Sequence, residues 1–139
     1  MCGITGIISS NGQIGSTRSL HYMTDAIRHR GPDDCGYYET TTCRGEYLGL
    51  GHRRLSIIDI ETGKQPVSNE NKTVFLVFNG EIYNYKALRK ELQAKGHIFR
   101  TASDSEVIVH AYEEYGEKCI ELFRGMFAFA IWDEVKQIL

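Results

Sequence analysis

Val74-Phe75-Leu76-Val77-Phe78, followed at once by Asn79-Gly80, is the stretch that decides the fold. Its side chains are apolar almost without interruption, so a strand here would present hydrophobic surface on both of its faces. Thr73 to Phe78 is therefore expected to be a strand in a sheet covered on both sides. The Asn-Gly dipeptide predicts a turn at the end of that strand, where backbone and side-chain donors can converge.

Working outward, Met126 to Trp132 alternates large and small apolar side chains and predicts a final strand. Cys2 to Ile8 reads as an initial strand, with Ile4 and Ile8 on a spacing that is a multiple of two. Short strands are also expected at Tyr37 to Glu39, Glu46 to His52 and Leu55 to Ile60. Ser9 to Ser16 reads as a turn-rich link.

Helices account for the intervening segments. Across Ser19 to His29, Leu20, Met23 and Ile27 recur at helical spacing and predict a core-facing stripe, and Gly31-Pro32 interrupts the helix. A second helix is expected from about Tyr85, with Leu88 and Leu92 on one face and Gly96 as its C-cap. Ser103-Asp104-Ser105-Glu106 has the spacing of a capping box ahead of Val107, Ile108, Ala111, Tyr112 and Tyr115. Ile120 to Phe123 suggests one more short helical element. The mixture of strands and helices is that of an α+β domain.

The 139 residues, 42% hydrophobic and 24% charged, suit one globular domain with a sizeable core. With 16 basic against 18 acidic residues, nothing in the overall charge calls for a nucleic-acid or anionic-membrane partner. No hydrophobic run reaches the length of a membrane span, and Met1-Cys2-Gly3 is not followed by the basic flank of a secretory signal, so a cytoplasmic location is expected. Cys2, Cys35, Cys43 and Cys119 are irregularly spaced and are expected to be free. Neither a close ligand pair nor a His-Glu-x-x-His helix is present, and no metal-binding residue is assigned. The stretch GLGHRRL, Gly49 to Leu55, lacks the lysine pattern of a phosphate-binding loop. His52, His97 and His110 are explained by turn, surface and helix-packing roles.

Chemistry converges instead on Cys2. Removal of Met1 would leave one residue holding both a thiol and a free α-amine, a nucleophile with its own base. Acyl transfer also needs donors for the oxyanion, which the Asn79 side chain and the Gly80 N–H could supply. For an amino-acid substrate, Arg54 suits a carboxylate and Asp104 an ammonium, if folding brings both into one pocket. Taken singly, each of these residues has an ordinary structural explanation: an Asn-Gly turn, a solvent-facing arginine, an acidic first turn of a helix.

The blocks MCGITGI, RHRGPDD, GHRRLSIID, FNGEIYN, TASDSEVI and GMFAFAIWD together resemble the glutamine amidotransferase domain of glutamine-hydrolysing asparagine synthases, within the class II, N-terminal-nucleophile amidotransferases. The resemblance implies a four-layer alpha-beta-beta-alpha sandwich of the N-terminal-nucleophile hydrolase class. It implies Cys2 as nucleophile and Asn79 and Gly80 in the oxyanion hole. Around the glutamine it implies Arg54, Leu55, Ser56, Ile57 and Ile58, with Glu81 in the same pocket and Asp104 at the amino group. Arg53 is expected to be an adjacent residue, either structural or backing the residues that touch substrate, rather than the carboxylate ligand.

L-glutamine would be converted to L-glutamate and ammonia through a Cys2 thioester, without metal or organic cofactor. Residues 2–139 would form part of the amidotransferase domain. A missing ATP-dependent synthetase domain, requiring ATP and Mg, would accept the ammonia and convert aspartate to asparagine. The resemblance also allows a homodimer. Two other readings remain: an amidotransferase serving an amino-sugar or nucleotide precursor, and a nonenzymatic glutamine-binding regulatory domain.

Overall fold

The computed structural model describes residues 2–10, 16–55 and 63–139. In chain order these residues form strand β1 (Gly3–Ser9), helix α1 (Thr17–Ala26), strands β2 (Asp34–Thr41), β3 (Tyr47–Arg54), β4 (Val67–Ser68) and β5 (Val74–Ile82), helices α2 (Tyr85–Ala94) and α3 (Glu106–Tyr115), and strand β6 (Gly125–Asp133). Short 3-10 turns follow α1 at Arg28–Arg30 and α3 at Gly116–Leu122.

The strands pair into two antiparallel sheets, ordered β1-β3-β2 and β4-β5-β6. Alternation along each strand then fixes four layers. Leu48 and Leu50 of β3 meet Val77 of β5 and Trp132 of β6 between the sheets, with Ile4, Tyr38, Phe75 and Ala130 packed around them. The opposite face of β5 and β6 carries Leu76, Phe78, Ile82, Phe127, Phe129 and Ile131 against the helical layer of α2 and α3. On the far side of the first sheet, α1 lies over β1 and β3. This is an α+β, alpha-beta-beta-alpha arrangement of four layers.

Close approach of α1 depends on side chains that β3 does not have. A Cβ at Gly49 would stand 2.9 Å from Leu20 Cδ2, and one at Gly51 would collide with the hydroxyls of Thr5 and Thr24. Those two hydroxyls are themselves 2.8 Å apart, and Thr24 Oγ1 donates to the Leu20 carbonyl at 2.8 Å, so the buried Thr24 hydroxyl has partners.

Several local expectations are corrected. The inner face of α1 uses Leu20 and Thr24, while Met23 is 38% exposed. The helix begins at Thr17, where the Ser16 hydroxyl accepts from Ser19 N–H, and it ends at Ala26, before His29. Asn79-Gly80 is no turn: both residues continue β5, opposite Ala128 and Phe127 of β6. Gly80 is needed because a Cβ there, at φ +156°, would strike the β6 backbone at Met126 and Phe127.

No capping box forms either. Ser103 Oγ accepts from Ser105 N–H, and Glu106 reaches back to the N–H groups of Arg100 and Thr101 at 2.7 and 2.8 Å. At the end of α2, by contrast, Gly96 does occupy the residue past the cap at φ +102°. Its N–H bonds Gln93 O and that of His97 bonds Leu92 O, closing the helix in a Schellman motif. The strand expected at Leu55 to Ile60 lies outside the described residues except for Leu55, which follows the end of β3; residues 11–15 of the expected link lie outside them as well.

The reassigned face of α1 has a measurable consequence. Leu20→Ala is expected to cost about 2–5 kcal/mol in urea unfolding, whereas Met23→Ala should stay within about 0.5 kcal/mol.

Candidate functional site

Strand alternation also decides which polar side chains reach the end of the sandwich. Arg53 and Arg54 are neighbours on β3 and so point to opposite faces. Arg53 turns to α1, where its Nε donates to Thr24 O at 3.2 Å and its guanidinium pairs with Asp25. These contacts hold it against α1, and it does not line the cavity described below. Arg54 turns inward and is buried, 6% exposed.

The same logic carries Cys2, one step before β1 and in phase with Ile4, to the inter-sheet side. On β5, Asn79 and Glu81 share the phase of Val77, and on β6 Met126 shares the phase of Ala130. These ends converge on a cavity of about 170 Å³ lined by Cys2, Arg54, Leu55, Asn79, Gly80, Glu81, Ser103 and Asp104, with Gly63, Gln65, Phe78 and Met126 completing its wall. Of the substrate-contact residues expected from sequence, Ser56, Ile57 and Ile58 lie outside the described residues; the others named there meet at this one place.

The sulfur of Cys2 sits against the chain leaving β3. Leu55 N–H points to Sγ at 3.4 Å, and Leu55 O lies 3.7 Å away. A thiolate forming here would therefore meet a backbone donor. Asp104 is buried, 6% exposed, and is not solvating a helix start: its Oδ2 accepts from Ile82 N–H at 2.8 Å. Burial raises the pKa of this carboxyl, the Ile82 N–H opposes that shift, and the nearby Glu81 charge adds to it. Asn79 presents a different kind of unspent capacity, since its Oδ1 is buried without a hydrogen-bond partner.

Two residues that sequence reading passed over hold this end of β5 in place. His52, the last residue of the strand expected over Glu46 to His52 and given no role in the site, lies inside β3 and is 1% exposed. Its Nε2 donates to Phe78 O at 3.1 Å, and burial pushes its pKa down to about 4, so the ring is neutral. Gln65 clasps both backbone polar groups of the same residue, donating from Nε2 to Phe78 O at 3.0 Å and accepting Phe78 N–H at 2.7 Å. Its amide thus takes the place of a strand that β4 is too short to provide. No local motif marks either residue, because both act on a backbone 13 or 26 positions away.

The sequence matches the glutamine amidotransferase domain over residues 1–139. The chain belongs to that family. Among curated relatives of this amidotransferase domain, asparagine synthetase [glutamine-hydrolyzing] 1 of Bacillus subtilis (strain 168) is 46% identical over 142 residues, covering 100% of the chain and 22% of the relative. Asparagine synthetase [glutamine-hydrolyzing] 2 of Arabidopsis thaliana is 47% identical over 135 residues, covering 96% of the chain and again 22% of the relative. The chain therefore spans about a fifth of the length of these proteins. Among solved structures, the glutamine phosphoribosylpyrophosphate amidotransferase of B. subtilis superimposes with a TM-score of 0.72 at 21% identity, over 94% of this chain and 35% of that one, a likeness of fold.

The buried carboxyl of this amidotransferase domain gives a signed prediction. Because folding raises the pKa of Asp104, its contribution to stability is present at low pH and is lost as pH rises from about 4 upward. Asp104→Asn should flatten that part of the stability–pH curve and leave the protein more resistant to urea at neutral pH. Urea midpoints across the acidic range measure both effects.

Proposed function

We propose that this amidotransferase domain hydrolyses L-glutamine to L-glutamate and ammonia through a thioester on Cys2, and that in the whole protein the ammonia serves ATP-dependent conversion of aspartate to asparagine. The observation that carries the reading is the convergence of Cys2, Arg54, Asn79, Gly80 and Asp104 on one cavity from four separate segments of chain.

Once Met1 is removed, the α-amine of Cys2 takes the thiol proton and the sulfur attacks the side-chain amide carbon of glutamine. A C–S bond forms, and negative charge collects on the former carbonyl oxygen, where the Asn79 amide and the Gly80 N–H act as donors. The α-ammonium returns its proton to the departing nitrogen, the C–N bond breaks and ammonia leaves. Water, deprotonated by the same amine, then attacks the thioester and releases glutamate with the thiol restored.

At the other end of the substrate, Arg54 binds the α-carboxylate, while Asp104 and Glu81 face the ammonium. A cation placed there would offset the cost of keeping the Asp104 carboxylate buried. Leu55 lines the wall beside the glutamine backbone, and the contacts expected of Ser56, Ile57 and Ile58 fall outside the described residues.

Each step closes with groups of this chain and water, so ATP and Mg belong to the synthetase domain proposed to continue the protein. The asparagine product is supported by relatives at 46 and 47% identity whose names specify glutamine-hydrolysing asparagine synthetases. A cytoplasmic location agrees with four free cysteines, and no helix among the described residues is long and apolar enough to cross a membrane.

Intact-mass analysis and glutamine turnover on one preparation test the glutaminase. Met1 should be absent, acid quenching during turnover should leave a glutamyl adduct on Cys2, and Cys2→Ala should abolish glutamate release while keeping the wild-type circular dichroism. Asp104→Asn should mainly raise KM. Glutamine binding without turnover by a correctly processed protein would instead identify a binding domain.

A further inference from the structure

On the helical side of the second sheet, away from the Cys2 cavity, four side chains from three separate segments turn toward one point. Glu70 lies in the turn between β4 and β5, His97 follows α2, and His110 and Glu113 stand one turn apart on α3. One ligand atom from each lies within 4.8 Å of all the others. Glu113 Oε2 is 3.1 Å from His110 Nδ1 and 3.6 Å from His97 Nδ1, and Glu70 Oε2 is 3.8 Å from His110 Nδ1.

We propose that Glu70, His97, His110 and Glu113 form a structural site for a divalent transition metal, best suited to tetrahedral Zn2+, that ties the β4–β5 turn and the end of α2 to α3. Two imidazoles and two carboxylates are a ligand set that Zn2+ takes at about 2.0–2.2 Å, which puts tetrahedral ligand atoms about 3.3 Å apart. The shorter separations already match, and the longest must close by up to about 1.5 Å.

What distinguishes the cluster from a chance meeting of charges is the far side of each ligand. Glu113 Oε1 accepts from Asn69 Nδ2 at 2.7 Å, and Glu70 Oε1 accepts from Ile98 N–H at 2.8 Å. His97 Nε2 is 3.1 Å from Glu114 Oε1. His110 Nε2 is buried without a hydrogen bond and has Glu106 Oε1 at 3.7 Å, itself held by Arg100 N–H. Each ligand thus keeps one atom for the common point, while a carboxylate, amide or backbone group stands at the other. Carboxylates behind metal-binding imidazoles orient the rings in this way and raise their basicity.

Charge argues in the same direction. Glu70, Glu106 and Glu113 all face the His110 ring, which is 1% exposed. With a proton on Nε2, the Nδ1 lone pair would face carboxylate oxygens with nothing positive between them. Three carboxylates thus surround one buried ring, an arrangement that favours positive charge at this place. A divalent ion supplies that charge and accepts the lone pairs together.

The test uses the full chain freed of metal with a chelator and titrated with Zn2+ and with Co2+. One equivalent of Zn2+ should bind and raise the thermal unfolding midpoint. Co2+ should give the visible bands of a tetrahedral nitrogen–oxygen site without the near-ultraviolet thiolate charge-transfer band that binding at the cysteines would produce. His97→Ala and Glu113→Gln should each weaken Zn2+ binding by at least about tenfold; Glu113→Gln keeps an acceptor for Asn69 and guards against a folding defect. Failure of the wild-type chain to bind Zn2+ stoichiometrically, a thiolate band with Co2+, or unchanged affinity in both variants would overturn the proposal. Glutaminase activity enters none of these readouts.

Discussion

The structure depends on the contact between two sheets, where Leu48 and Leu50 press against Val77 and Trp132. Once that layer is formed, the two-residue period of a strand leaves little freedom at the strand ends. Cys2 must lie in phase with Ile4, Arg54 with Leu50, and Asn79 with Val77. A slip of one residue in β3 would turn Arg54 toward α1 and Arg53 into the cavity. The apolar layer that holds the domain together is therefore also what aims its polar groups, and packing and chemistry share a single register.

The outer layers serve that arrangement from opposite sides. Gly49 and Gly51 let α1 settle onto β3, and the helix in turn gives Arg53 a carbonyl and a carboxylate to hold. On the other face, the loop ahead of α3 delivers Asp104 to the Ile82 N–H. Asp104 is stored at a cost, since burial disfavours its charge, and such a group is expected where a protein reserves a carboxylate for a cationic ligand. In this domain the family membership and the geometry point to the same cavity.

Much of this was legible in the sequence, where the physics is local or the motif is long. The uninterrupted apolar run of β5 required cover on both faces, and the FAFAIW pattern of β6 separated one packed face from the other. Gly96 announced the end of α2. The failures occurred where partners are distant. Asn79-Gly80 has turn chemistry, but pairing with β6 keeps it in a strand. Met23 fits helical spacing, yet Thr24 takes the buried place because Thr5 offers its hydroxyl a partner across the layer. The cradle of Gln65 and His52, and the gathering of Glu70 and His97 about α3, are products of topology that no window along the chain contains.

The shared carbonyl of Phe78 has one more implication. His52 belongs to one sheet and Gln65 leads into the other, so a single oxygen adds a directional stitch between two slabs whose central contact is greasy and direction-blind. Sliding between the slabs would tear that stitch one residue from Asn79. The domain thus converts a weakly directional interface into a fixed alignment beside an amide that lines the cavity.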